Sequence, residues 1–246
     1  MDLALTPHEL AGMQYHFEQV VKANTKFNLT RIVSPEHAAV LHYADSLALV
    51  RWIRAGGLEP GWLLDIGTGA GFPSVVAALC LPDWHVVAMD GRHRKTDFVS
   101  SAAQEIPLPN LFALHARAED WRHERQRPPT AGQERDLQFP IRFDVVTARA
   151  VSKLADLLKL SSPLLRSTGR LAAFKTPHMN REEAVQARAM ADRLGFVVEP
   201  AWDYRLKVAH AEAFDDGSAV QPRVPDISPE SHSEIHERRL AIFRRP

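Results

Sequence analysis

The chain has 246 residues, 45% of them hydrophobic, and its 30 basic and 30 acidic residues cancel to no net charge. That is enough apolar material for a full core. There is no run of about 18 apolar residues to span a membrane, no basic-then-apolar leader is evident in the first residues, and the charge balance excludes a general cationic field for nucleic acid. The single cysteine, Cys80, rules out an internal disulfide, and the composition is the one expected of a cytoplasmic protein.

Thr6-Pro7-His8-Glu9 predicts a helix start, with Thr6 as cap, Pro7 at the first helical position and Glu9 three residues after the cap. Leu10, Met13, Phe17, Val20 and Val21 follow at helical spacing. After an extended break at Asn28-Leu29-Thr30, Ser34-Pro35-Glu36-His37 predicts a second helix carrying Val40, Leu41, Leu47 and Leu49. Residues 1–58 thus form a helical extension. It is too short for a domain of its own and is expected to pack on residues 59–246 as one unit.

Trp62-Leu63-Leu64 reads as the first strand, and a helix runs from Ser74 to Leu81, stopped by Pro82-Asp83. His85 to Asp90 is a strand, Arg94 to Glu105 a helix, Asn110 to His115 a strand. Arg125 to Pro140 is polar and Pro-rich and reads as a loop. Arg142 to Thr147 is a strand, Lys153 to Leu165 a helix stopped at Thr168-Gly169, and Leu171 to Phe174 a strand ending at Lys175. A helix over Arg181 to Leu194, stopped by Gly195, precedes a strand over Phe196 to Tyr204. The pattern is lost between Val208 and Glu234, and Leu240 to Phe243 closes as a strand. Strands alternating with helices predict a mostly parallel, seven-stranded α/β sheet of Rossmann type with helices on both faces. The last two strands, with no helix between them, suit an antiparallel pair at one edge.

The chemistry is concentrated in Asp65-Ile66-Gly67-Thr68-Gly69-Ala70-Gly71-Phe72-Pro73. Gly67 and Gly69 suit a sharp turn that a ligand can approach closely, and Gly71 suits close packing of the next helix on the strand. Asp90 ends the second strand 19 residues after Gly71 (90 − 71), where a carboxylate can accept hydrogen bonds from two ribose hydroxyls. Phe72 occupies the place where a dinucleotide loop has its third glycine. Asp65 would repel a pyrophosphate and attract an ammonium or sulfonium, which favours S-adenosylmethionine over NAD. The histidines and the single cysteine show no ligand spacing for a metal.

In addition to this loop, Phe27-Asn28-Leu29-Thr30, His42-Tyr43-Ala44-Asp45-Ser46-Leu47, Ala116-Arg117-Ala118-Glu119 and Thr147-Ala148-Arg149-Ala150 occur in order, followed by the strand-terminal Lys175. With these blocks the chain resembles the glucose-inhibited division protein B family, the ribosomal RNA small-subunit methyltransferases G. It departs from the family's pattern at Lys175-Thr176, at Gly91-Arg92-His93 and in two longer inserts. The resemblance implies a class I S-adenosylmethionine-dependent methyltransferase acting on N7 of one guanine in 16S rRNA, free or within the small ribosomal subunit. It also implies a monomer with neither metal nor membrane contact. Cofactor contacts then fall to Asp65, Gly67, Thr68, Gly69, Gly71, Phe72, Asp90, Ala118, Glu119 and Arg149. Arg149 and Lys175 are the candidate catalytic residues, and Arg92, Arg94, Lys95 and Arg117 the candidate RNA contacts. His42 and Asp45 share a helix face, either to tie the helical extension to the cofactor loop or to act in the site. Three other readings stand beside this one: an NAD-linked oxidoreductase, a methyltransferase of the same fold with another substrate, and a non-catalytic RNA-binding module.

Overall fold

The computed structural model describes residues 4–121, 139–208 and 234–246. Most of the loops expected over 125–140 and 208–234 therefore lie outside the described residues. Helix α1 (Pro7–Asn24) starts in a reciprocal cap. Thr6 N donates to Glu9 Oε2 at 2.7 Å, and Glu9 N donates to Thr6 Oγ1 at 3.2 Å. Its buried face is Gly12, Met13, His16 and Val20, whereas Leu10 and Val21 are exposed. Gly12 sets that rotation: a Cβ there would lie 2.6 Å from Leu79 Cδ2, so a bare backbone brings α1 against the next layer. The helix expected from Ser34 is broken into α2 (Pro35–Ala38), a π-helical turn (Ala39–Ala44) and α3 (Asp45–Ala55). The widened turn re-aims His42 and Asp45 inward, and both are buried.

The parallel strands are β1 (Trp62–Ile66), β2 (His85–Asp90), β3 (Leu111–His115), β4 (Phe143–Arg149) and β5 (Leu165–Lys175). Helices α4 (Ser74–Cys80), α5 (His93–Glu105), α6 (Leu154–Ser161) and α7 (Arg181–Leu194) connect them to one another and to the final strands. Helix α6 ends earlier than the sequence pattern suggests. Pro163 has no N–H to continue the ladder, so Ser162–Leu164 tighten into a 3-10 turn. Strand β5 consequently begins at Leu165. Thr168-Gly169, expected to stop a helix, lies within this strand beside a shift in register, with Thr168 at φ +67.

The sheet runs β3-β2-β1-β4-β5-β8, with the short β6 (Val197–Val198) and β7 (Trp202–Val208) both paired to β8 (Glu234–Arg244). Among the described residues, eight strands stand where seven were expected. The single strand anticipated over 196–204 is divided near Pro200, which cannot donate to a ladder. Strand β8 is antiparallel to both β5 and β7. It is longer than Leu240–Phe243 because two neighbours support it.

Two apolar layers form, one on each face of the sheet. One joins Met13 and Val20 of α1, Leu49 and Ile53 of α3, most of α4 and Val99 of α5. The other joins Leu154, Leu157 and Leu158 of α6 to Ala187 and Ala191 of α7. Among the described residues no helix is long and apolar enough to cross a membrane. Strand order reverses between β1 and β4, and in open α/β sheets the crevice at such a point binds ligands.

Candidate active site

The loop after β1 turns through three left-handed glycines, Gly67 (φ +74), Gly69 (φ +62) and Gly71 (φ +91). Gly67 N and Thr68 N both donate to Met89 O, at 2.8 and 3.0 Å, which lashes the loop to the end of β2. A Cβ on Gly67 would lie 2.7 Å from Val151 Cγ2, so the loop after β4 closes over bare backbone. Asp65 is fully buried beneath the turn, where its Oδ2 accepts from Ser74 Oγ, itself hydrogen-bonded to Thr68 Oγ1. Burial pushes the Asp65 carboxyl up to about 7, against the opposing pull of the Ser74 and Thr68 hydroxyls. Its Oδ1 is buried and has no hydrogen-bond partner among the described residues. Asp65 thus acts on the turn from below.

Asp90 is placed by the register of β2 at the same end of the sheet. Its Oδ1 accepts from Arg92 N at 3.0 Å, its Oδ2 accepts from Gly69 N at 3.1 Å, and Lys95 Nζ lies 3.6 Å from Oδ2. Each carboxylate oxygen keeps accepting capacity for a further donor. An open cavity of about 250 Å³ adjoins it, lined by Gly67, Asp90, Arg92, Arg117, Ala118 and Glu119 among others. Apolar walls come from Ile66, Met89 and Leu160, with Val151 at the rim. Apolar walls and two carboxylates suit a nucleoside: the walls for the base, the acids for hydroxyl and amino donors. A diphosphate would meet two negative charges instead.

The structure therefore gathers Gly67, Asp90, Ala118 and Glu119 on one cavity, with Arg92 and Arg117 at the same place. Thr68, Gly69 and Gly71 shape the turn without lining that cavity. Phe72 points the other way. It is 3% exposed, stacked on His42 (centroids 4.5 Å apart, planes at 18°) and met edge-on by His16 and Tyr43. The basic cluster also divides: Lys95 turns inward to Asp90, whereas Arg94 lies in a separate groove between α1 and α5.

Arg149, the last residue of β4, is held by the helical extension. Its Nη1 donates to Leu41 O at 3.0 Å and to Asp45 Oδ2 at 3.2 Å, and its Nη2 donates to His42 Nδ1 at 3.2 Å. Its guanidinium carbon stands 5.3 Å from the centre of the Phe72 ring. Asp45 also accepts from Tyr204 OH at 2.7 Å and lies 3.7 Å from Arg238 Nε. His42 accepts at Nδ1, so its Nε2 carries the proton and donates to Thr30 Oγ1 at 2.9 Å. Burial and the neighbouring Arg149 push His42 down to about 4, which keeps it neutral. Lys175 belongs to another network. Its Nζ donates to Ser152 O at 2.8 Å and to Glu183 Oε1 at 3.0 Å, and the same oxygen caps Leu154 N at the start of α6. The Lys175 hydrogen bond, the Leu154 cap and the nearby positive charge hold the Glu183 carboxyl below its usual range.

Comparison with known proteins decides the family. The family model described as rRNA small subunit methyltransferase G matches residues 9–199. The chain belongs to the rRNA small subunit methyltransferase G family. The ribosomal RNA small subunit methyltransferase G of Lactococcus lactis subsp. cremoris (strain MG1363) is 32% identical over 206 residues, covering 82% of this chain and 80% of that protein. The protein of the same name from Streptococcus pyogenes serotype M1 is 36% identical over 185 residues, covering 75% and 72%. Among solved structures, a putative RNA methyltransferase of Pyrococcus horikoshii matches with a TM-score of 0.53 at 12% identity, covering 93% of this chain and 98% of that one. It shows the shared fold. Membership in the family carries the class of reaction with it, methyl transfer from S-adenosylmethionine.

The sequence reading missed the apolar walls of the cavity, Ile66, Met89, Val151 and Leu160, and two supporting residues, His16 and Tyr204. His16 of α1 is fully buried, and its Nε2 donates to Ala70 O at 2.9 Å inside the glycine loop while its Nδ1 accepts from Tyr43 OH at 2.9 Å. Burial pushes it down to about 4. A signal for it existed: His16 is three residues after Met13 and four before Val20, on the buried stripe of α1. Tyr204 left no comparable signal, because its partner Asp45 is 159 positions away.

Proposed function

We propose that this chain transfers a methyl group from S-adenosylmethionine to N7 of a guanine in 16S ribosomal RNA, acting as a cytoplasmic monomer on the small ribosomal subunit or its RNA. The observation that supports this best is the meeting of Gly67, Asp90, Ala118 and Glu119 on one cavity at the switch point of the sheet, in a chain of this family. When bound, S-adenosylmethionine supplies an electrophilic methyl on a positively charged sulfur.

In this reading Asp90 accepts from the ribose hydroxyls with the lone pairs that Gly69 N and Arg92 N leave free. Ala118 and the walls from Met89 and Leu160 flank the adenine, and Glu119 accepts from its amino group. The glycine turn presents backbone to the amino-acid end. Guanine N7 carries a lone pair and no proton, so the chain needs no general base at the target atom. Its task is to align, and such positioning is worth about 7–11 kcal/mol. The target base gains positive charge during transfer. Arg149 sits against Asp45 and Lys175 against Glu183, so each cation is largely neutralised and can face guanine O6 or phosphate without opposing that charge.

Two measurements test the proposal. Calorimetric titration with S-adenosylmethionine should show binding that Glu119→Ala and Asp90→Ala weaken, and equal affinity would remove the site assignment. Labelled methyl donor with small-subunit RNA should yield label at guanine N7, and label on a pyrimidine carbon or a small molecule would overturn the target.

A further inference from the structure

Helices α1 and α5 lie side by side, and an open groove of about 560 Å³ runs between them. Its floor is formed by Phe27 and Phe98, each half-buried with part of its ring uncovered. Lys22 and Lys26, around the end of α1, and Arg94, at the start of α5, stand on its rim. All three cations are exposed and form no ion pair among the described residues. The two acids of the groove are already engaged within the protein. Asp97 pairs with His93, and Glu105 accepts from Tyr15 OH at 2.9 Å and Ser101 Oγ at 3.1 Å.

The groove is also close to the glycine turn. Phe98 lies 5.9 Å from the His16 ring, and His16 holds Ala70 of the turn. Lys95, the neighbour of Arg94, reaches Asp90. The side chains of Phe98 and His16 link this groove to the cofactor loop. A chain with no net charge must bind a polyanion through local cations, and unpaired cations beside half-buried aromatic rings match the backbone and bases of a single strand.

We propose that this groove seats a single-stranded segment of the RNA substrate, with phosphates on Lys22, Lys26 and Arg94 and a base against Phe27 and Phe98. The proposal rests on the reading above that the substrate is RNA. The test uses the full chain and a fluorescent single-stranded fragment of small-subunit rRNA, with anisotropy followed from 0.05 to 0.3 M salt, a range chosen to resolve the slope. For K22Q/K26Q the expected affinity loss is about tenfold at 0.1 M salt. The slope of log affinity against log salt should fall by about 1.4, near 0.7 per lost contact. R94Q should lower the slope by about half as much. K159Q on α6, outside the groove, should change neither, and S-adenosylmethionine affinity should be unchanged in all three variants. Wild-type affinity and slope in K22Q/K26Q would overturn the proposal. So would a loss seen only with assembled subunits and not with the bare strand, since that would mark a protein partner. A wild-type chain that binds the strand in this way yet delivers no methyl to guanine would refute the proposed reaction and leave the groove standing.

Discussion

His16 offers a direct test of how the helical extension supports the glycine turn. It is neutral and fully buried, with a folded-state pKa of about 4 against 6.5 for the free side chain. A histidine lowered in this way stabilises the fold fully above pH 6.5, and that contribution is withdrawn as pH falls toward 4, because the unfolded chain takes up the proton first. At pH 5 the difference between the two values corresponds to about 2 kcal/mol, and at pH 7.5 to almost nothing. His16→Gln keeps a donor for Ala70 O and an acceptor for Tyr43 OH but cannot titrate. Urea unfolding followed by tryptophan fluorescence at pH 7.5 and 5.0 is the assay. Wild type should lose about 2 kcal/mol more than His16→Gln between the two pH values. His42, lowered for a similar reason, remains in both proteins and contributes equally. His16→Leu should be less stable even at pH 7.5, because it leaves the Ala70 carbonyl and the Tyr43 hydroxyl unpaired at about 1–3 kcal/mol each. The same acid-induced loss in His16→Gln as in wild type would refute this account of the residue.

Further outcomes follow from the same geometry. Gly69→Asp forces a side chain into a left-handed position and adds a carboxylate beside Asp90. The backbone strain, about 1–2 kcal/mol, should appear as lost folding stability. A turn that relaxes to relieve it, with a carboxylate added, should bind S-adenosylmethionine more weakly in calorimetry; unchanged affinity would contradict the turn's role. Asp45→Asn removes the charge that faces Arg149, Tyr204 and Arg238. Thermal unfolding should report a loss near 3 kcal/mol, the low end for a buried pair because Arg149 keeps some exposure, and kcat should fall with it. A cycle of Lys175→Met and Glu183→Gln should give a coupling of about 1 kcal/mol, as both side chains are partly open to solvent. A coupling of zero would place Lys175 outside the network that holds the start of α6.

The sequence alone determined the parts governed by neighbours along the chain. The capping box at Thr6, the alternation of strands and helices, the glycine turn and the acid ending β2 are local signals, since each depends on backbone preferences or on spacing within a few residues. They were sufficient for the fold class, most of the order of elements, and the placing of Gly67 and Asp90 at the cavity. Ala118 and Glu119 came from the family resemblance, and the apolar walls from Ile66, Met89 and Leu160 were not read. Tertiary structure decided the rest. Whether Asp65 faces a ligand or lies beneath the turn depends on Ser74, and whether Phe72 faces the cavity or the helical extension depends on His16, His42 and Tyr43. Arg149 and Lys175 look alike as basic residues at strand ends, yet one is tied to Asp45, 104 positions earlier, and the other to Glu183, eight positions later. The break at Pro200 and the early end of α6 at Pro163 were written in the chain, but pairing with β8 and β4 chose where the strands resumed. Partners that meet only when the helices close over the sheet leave no periodicity to read, because side-chain direction at a site is set by packing across the fold.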